Sequence, residues 1–147
     1  MEPTFVTEPS RRIVGLEYVG DNANKEIKAL WGTFEPRIPE VKISGDFYGA
    51  VRMNDALPAG QFEYLAGVES DGEVPEGLTE WQLPGGHYAK VDCPDLSQLM
   101  PIIHGFYSEW LPASEYVSGG APTLEFYPES FPAEPGISVL FSVKPKA

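Results

Sequence analysis

Residues 121–128 read A-P-T-L-E-F-Y-P, a short strand bracketed by prolines with one acid, Glu125, at its centre. Successive side chains of a strand point to opposite faces, so Leu124 and Phe126 share one face while Thr123, Glu125 and Tyr127 share the other. Burying an unpaired carboxylate is costly, and a plain core strand has no use for one. Glu125 therefore either lies at an edge in water or waits for a cation or a proton. Which of these holds depends on what its face looks at, and so on the frame around the strand.

That frame is one unit stated twice. In the first half, Arg12 to Gly20 is a strand rich in β-branched and aliphatic residues. Asp21, Asn22 and Asn24 offer helix caps, and Ile27, Leu30, Trp31 and Phe34 recur at i, i+3, i+4 and i+7, predicting an amphipathic helix ended by Pro36. A strand around Phe47 to Arg52, a turn with Pro58 and Gly60, and a strand from Gln61 to Glu69 follow. The second half opens with a loop through Pro75 and Gly77 and a strand pair or bent strand from Thr79 to Cys93, interrupted at Pro84-Gly85-Gly86. Asp95 with Gln98 resembles a capping box, and Leu96, Leu99, Met100, Ile103, Tyr107 and Trp110 keep a helical face. Pro101 demands a kink or a helix that starts later, with the proline in its first turn. Pro112 ends this helix, and strands from Pro122 to Tyr127 and Gly136 to Val143 close the unit.

The pattern predicts an α+β fold of two β-α-β-β modules, about 1–70 and about 78–147, in a single domain of 147 residues. Their antiparallel sheets pair around a pseudo-twofold axis, with helices on one side and a central ligand cleft on the other. The helical stripes are expected to bury on the Leu124/Phe126 face, which leaves Glu125 and Tyr127 facing the cleft.

Composition narrows the partners. An apolar content of 42% argues against disorder, so the 15 glycines and 15 prolines belong to turns and element boundaries. A net charge of −12 repels phosphate backbones, which excludes direct nucleic-acid binding and suits a neutral or cationic ligand. No apolar run approaches a membrane span, and the start M-E-P-T-F-V-T-E-P-S-R-R does not read as a signal peptide. The one cysteine, Cys93, reads as a small buried hydrophobe in a reducing cytoplasm. His87 and His104 form no metal-binding pattern, and no cofactor motif occurs: Pro84-Gly85-Gly86-His87 lacks the lysine and following helix of a phosphate loop.

Five stretches carry a resemblance: I-V-G-L-E-Y at 13–18, F-E-Y-L-A-G-V at 62–68, W-x-L-P-G-G-H-Y-A at 81–89, F-Y-S-E-W-L-P-x-S-E-Y at 106–116 and P-T-L-E-F-Y at 122–127. In that order they resemble the GyrI-like small-molecule-binding domain, which also forms the effector-binding half of AraC-type and MerR-type multidrug regulators. L-W-G-T-F-E-P-R at 30–37 looks most like the stand-alone, integron-associated branch. The resemblance implies a cleft lined by aromatic residues with an acid on its floor, matching Glu125, that meets hydrophobic and often cationic compounds. It also implies two alternatives: a hydrolase that opens cyclopropane-bearing DNA-alkylating compounds in the same cleft, and a protein-interaction module that inhibits an enzyme such as gyrase.

A planar cation needs stacking faces as well as a counter-charge. Candidate rings are Tyr64 and Tyr127 on the inner strands, with Tyr48, Tyr88 and Phe141, and with Trp31 and Trp110, whose helical stripes speak first for packing. Glu17 alternates with Ile13, Gly15 and Val19 and is a candidate second cleft acid, which the hydrolase reading would need as a partner for Glu125. Glu63 is assigned to the surface.

Overall fold

The computed structural model describes residues 2–52, 56–94, 98–127 and 137–146. Among them the extended segments form nine strands: β1 (Thr4–Glu8), β2 (Arg11–Gly20), β3 (Ile43–Arg52), β4 (Phe62–Ser70), β5 (Thr79–Leu83), β6 (Gly86–Cys93), β7 (Tyr116–Ser118), β8 (Thr123–Tyr127) and β9 (Ile137–Pro145). Helix α1 (Glu26–Phe34) runs into a 3-10 turn, Glu35–Glu40, that accommodates Pro36 and Pro39. Helix α2 (Leu99–Gly105) continues through a π-helical turn, Phe106–Trp110, and a last turn, Leu111–Ala113. Pro101 falls in the first turn of α2, where its missing N–H costs nothing. Asp95, the expected cap, lies outside the described residues.

The start of α1 differs from the expected capping. Its N-cap position is Lys25, held at φ 59° without a side-chain cap. Asn22 acts from further back, its Oδ1 accepting the Ile27 N–H at 3.0 Å, and the Asn24 N–H donates to the Glu26 carboxylate at 2.9 Å. Strands β1 and β7 are additions to the sequence reading.

Strand order is β1-β6-β9-β8-β3-β4-β2-β5, with β7 added on β9. All pairings are antiparallel. The order is a palindrome about the β8–β3 seam: β6, β9 and β8 of the second module answer β2, β4 and β3 of the first. At the outer ends the modules exchange strands, since β1 pairs with β6 and β5 with β2. The two ladders keep one register, running from Thr4 opposite Lys90 to Glu8 opposite Gly86, and on from Arg11 opposite Leu83 to Gly15 opposite Thr79. Between them both chains bend, at Pro9-Ser10 and at Pro84-Gly85. A Cβ on Gly85 would lie 2.7 Å from the Ser10 nitrogen and 2.8 Å from the Glu8 oxygen, so only glycine lets the two bends pass.

This exchange decides what covers each face. Both helices lie on the Glu125 face: α1 packs Phe34 with Val14, Val41 and Val68, while the second helical segment packs Phe106 with Val91, Tyr127, Val139 and Phe141. The expectation that the helices bury Leu124 and Phe126 is corrected here. Leu124 belongs to a separate cluster with Ile13, Tyr48, Leu65, Trp81, Leu83, Tyr88 and Leu140, against which Phe126 packs. The exchanged ladder brings Ile13, Trp81, Leu83 and Tyr88 to that face, so the sheet buries it against its own strands and the helices are left to the other. Cys93 is buried at 1% exposure, as read. Among the described residues no helix is long and apolar enough to cross a membrane.

Candidate functional site: a buried carboxylate between the two helices

Strand β8 offers Thr123, Glu125 and Tyr127 to the helix-bearing face, and each is held from a different direction. Thr123 shares a 2.5 Å hydrogen bond with the Tyr107 hydroxyl of the π-helical turn. Tyr127 packs against the edge of Trp31 from α1, ring centroids 5.1 Å apart. Glu125 sits between these anchors at 5% exposure.

Two tyrosine hydroxyls donate to the same oxygen of Glu125, Oε1: Tyr64 from β4 and Tyr127 from β8, each at 2.7 Å. The Trp31 indole N–H in turn donates to the Tyr64 hydroxyl at 3.0 Å, completing a chain from α1 through β4 to β8. Oε2 takes no hydrogen bond among the described residues, and no ion pair found among them includes Glu125. Burial pushes the Glu125 carboxyl above its ordinary range, and the Tyr127 and Tyr64 hydrogen bonds offset part of that. Burial, reinforced by the neighbouring carboxylate, drives both tyrosines well above their usual values, so they stay protonated and remain donors.

Room for this cluster comes from Gly49, directly opposite Glu125 on β3. A Cβ there would fall 2.1 Å from the Tyr64 hydroxyl and 2.4 Å from Oε1. Gly49 is a position of the candidate site that the sequence reading missed; its signal was a glycine inside the aromatic strand F-Y-G-A-V, which marks a close approach.

Of the residues named from sequence, the structure brings together Glu125, Tyr127, Tyr64 and Trp31. Phe141 shares their face but lies stacked on Phe106 at 3.8 Å, inside the packing under the second helix. Trp110 stacks on Phe106 at 5.0 Å and faces Phe5 and Tyr116. Tyr48, Tyr88 and Glu17 point to the opposite face. There Tyr88 donates to the Pro84 carbonyl at 2.9 Å, Glu17 accepts the Trp81 indole N–H at 2.9 Å, and Tyr48 lies beneath the Arg11 guanidinium. Glu63 pairs with Arg52 at 2.9 Å. No group of three metal-type side chains occurs among the described residues.

A two-module sheet with helices on one face is the frame of a GyrI-like effector-binding domain, and the comparisons agree. The family model described as "Integron-associated effector binding protein" matches residues 4–141. The chain belongs to this integron-associated effector-binding family. It is 29% identical over 147 residues to the transcriptional regulator BrlR of Pseudomonas aeruginosa, covering 95% of this chain but 53% of BrlR, so it spans about half the length of that relative. Among solved structures it is similar to SAV2435 bound to tetraphenylphosphonium, with a TM-score of 0.76, 17% identity and coverage of 98% and 94% of the two chains. It is also similar to the integron cassette protein VCH_CASS2 of Vibrio cholerae, with a TM-score of 0.70, 13% identity and coverage of 98% and 97%. At such identities these two speak for the fold.

Proposed function

We propose that this effector-binding domain captures hydrophobic, cationic small molecules on its helix-bearing face, with Glu125 as the charge complement and Trp31, Tyr64 and Tyr127 as the aromatic surround. One observation carries the reading: a buried carboxylate whose hydrogen bonds among the described residues come from two tyrosine hydroxyls on Oε1, with no ion pair. Neutral donors temper the cost of that charge without cancelling it, and a cation arriving beside aromatic rings would. The tetraphenylphosphonium bound to SAV2435 is a ligand of the required kind, and the family description supports effector binding. Such a domain acts through its ligand, and the buried Cys93 suits a reducing, cytoplasmic setting.

The hydrolase reading asks for a second acid beside Glu125. Glu17, the acid read for that role, lies on the other face bonded to Trp81, so binding is the better supported reading. Tryptophan emission followed during titration with tetraphenylphosphonium tests the proposal. Saturable quenching that disappears in Trp31→Phe, with affinity lowered in Glu125→Gln, is the expected result. Quenching of equal affinity in wild type and Glu125→Gln would remove Glu125 from the role.

A further inference from the structure

On the face opposite Glu125 a cavity of about 340 Å³ opens beside the bend at Pro9, at the low end of the range that holds small organic ligands. Its apolar wall is formed by Phe126 and Leu140 together with the ring of Tyr48, which tilts against Phe126 at 5.5 Å. Charges of both signs line the rest.

The polar groups are poorly matched to one another, and this points to a missing partner. Arg11 has a side chain only 9% exposed, lies 4.7 Å above the Tyr48 ring and is paired with Glu8 at 3.2 Å and Glu69 at 3.5 Å. The Glu69 contact is made by the buried Nε itself, as an ion pair whose geometry falls short of a hydrogen bond. Two further lining charges, Lys90 and Asp46, have no ion pair among the described residues, and the Tyr48 hydroxyl has no hydrogen bond there. The site thus offers donors from Lys90, Tyr48 and Arg11, the carboxylates of Glu8 and Glu69 already paired with Arg11, one open carboxylate from Asp46, and a hydrocarbon wall.

We propose that this cavity is a second binding site, separate from Glu125, for a zwitterion with an apolar body, such as a hydrophobic amino acid. Its carboxylate meets Lys90, the Tyr48 hydroxyl and Arg11; its ammonium meets Asp46; its side chain lies on Phe126 and Leu140. A plain anion would enter a chain of net charge −12 with no return for Asp46, and a plain cation would leave Lys90 unanswered.

An NMR titration of the isotope-labelled full chain with L-phenylalanine tests this, with 3-phenylpropionate and 2-phenylethylamine as probes that each lack one charge. The expected result is saturable shifts of the Asp46, Lys90, Ser138 and Leu140 amides, with both single-charge probes weaker. Lys90→Met and Tyr48→Phe are each expected to weaken phenylalanine by about tenfold. Tyr48→Phe keeps the ring and its packing, so it decides the matter should Lys90→Met fail to fold. Absence of saturable shifts, shifts confined to Tyr64, Glu125 and Tyr127, unchanged affinity in Tyr48→Phe, or 3-phenylpropionate binding as tightly as phenylalanine would each overturn the proposal.

Discussion

Replacing Glu125 with glutamine should stabilise the ligand-free protein increasingly as pH rises. In the unfolded chain a glutamate titrates near about 4.3, whereas burial holds Glu125 higher in the fold. The native state therefore keeps a proton that the unfolded state has lost. Stability is fully present below the unfolded value and drains away as pH climbs to the raised folded value. Each unit of displacement corresponds to about 1.4 kcal/mol, and for a chain of this size that is roughly 4 °C in Tm. Glutamine cannot ionise, and its carbonyl oxygen still accepts from Tyr64 and Tyr127 at the position of Oε1. Its amide adds buried N–H groups, a penalty of about 1 kcal/mol that is independent of pH. The test is the difference in Tm between Glu125→Gln and wild type from pH 4 to pH 8, in which other titrating groups cancel. The difference should start about 3 °C below zero at low pH, rise with pH and level off above the folded value. A difference that stays flat over this range would refute the claim that Glu125 is a buried acid with a raised pKa.

The same linkage predicts that affinity for a lipophilic cation falls as pH drops through the raised range of Glu125, because the ligand must then displace a proton; isothermal titration in buffers of different ionisation enthalpy measures that release. Tyr64→Phe removes one donor from Oε1 and leaves the Trp31 N–H without its acceptor, so it should cost about 1–2 kcal/mol in urea unfolding and alter the Trp31 emission. Gly49→Ala places a methyl group where the Tyr64 hydroxyl and Oε1 meet and should cost about 1–3 kcal/mol while weakening cation binding. Phe106→Ala, which empties the stack on Phe141, should cost about 3–5 kcal/mol with little change in the pH dependence of binding.

Much of the site could be read from alternation alone. The T-L-E-F-Y pattern put Glu125 and Tyr127 on one face, and Tyr64 sits on the strand whose neighbour faces it, because a period of two survives whatever the strands pair with. Trp31 looked like packing, since a helical stripe says which residues turn inward but not that an indole N–H will reach a hydroxyl on the sheet. Alternation also cannot say on which side of a sheet a helix lands. That choice goes with the exchanged pairings of Thr4–Glu8 with Gly86–Lys90 and of Arg11–Gly15 with Thr79–Leu83, between residues some sixty to ninety positions apart in sequence, for which no local pattern gives a signal. Tyr48, Tyr88 and Glu17 were misplaced with Glu125 for the same reason: each is one step out of phase with the acid's face.

The β3–β8 seam has a consequence for how such a site can arise. Two identical modules, assembled as a symmetric dimer, would pair this strand with its own copy, and any acid near the axis would appear twice and repel its twin. A single chain carrying both modules escapes that rule. It sets Gly49 across from Glu125, and the inequality of its halves leaves one negative charge in space enough for two tyrosine hydroxyls.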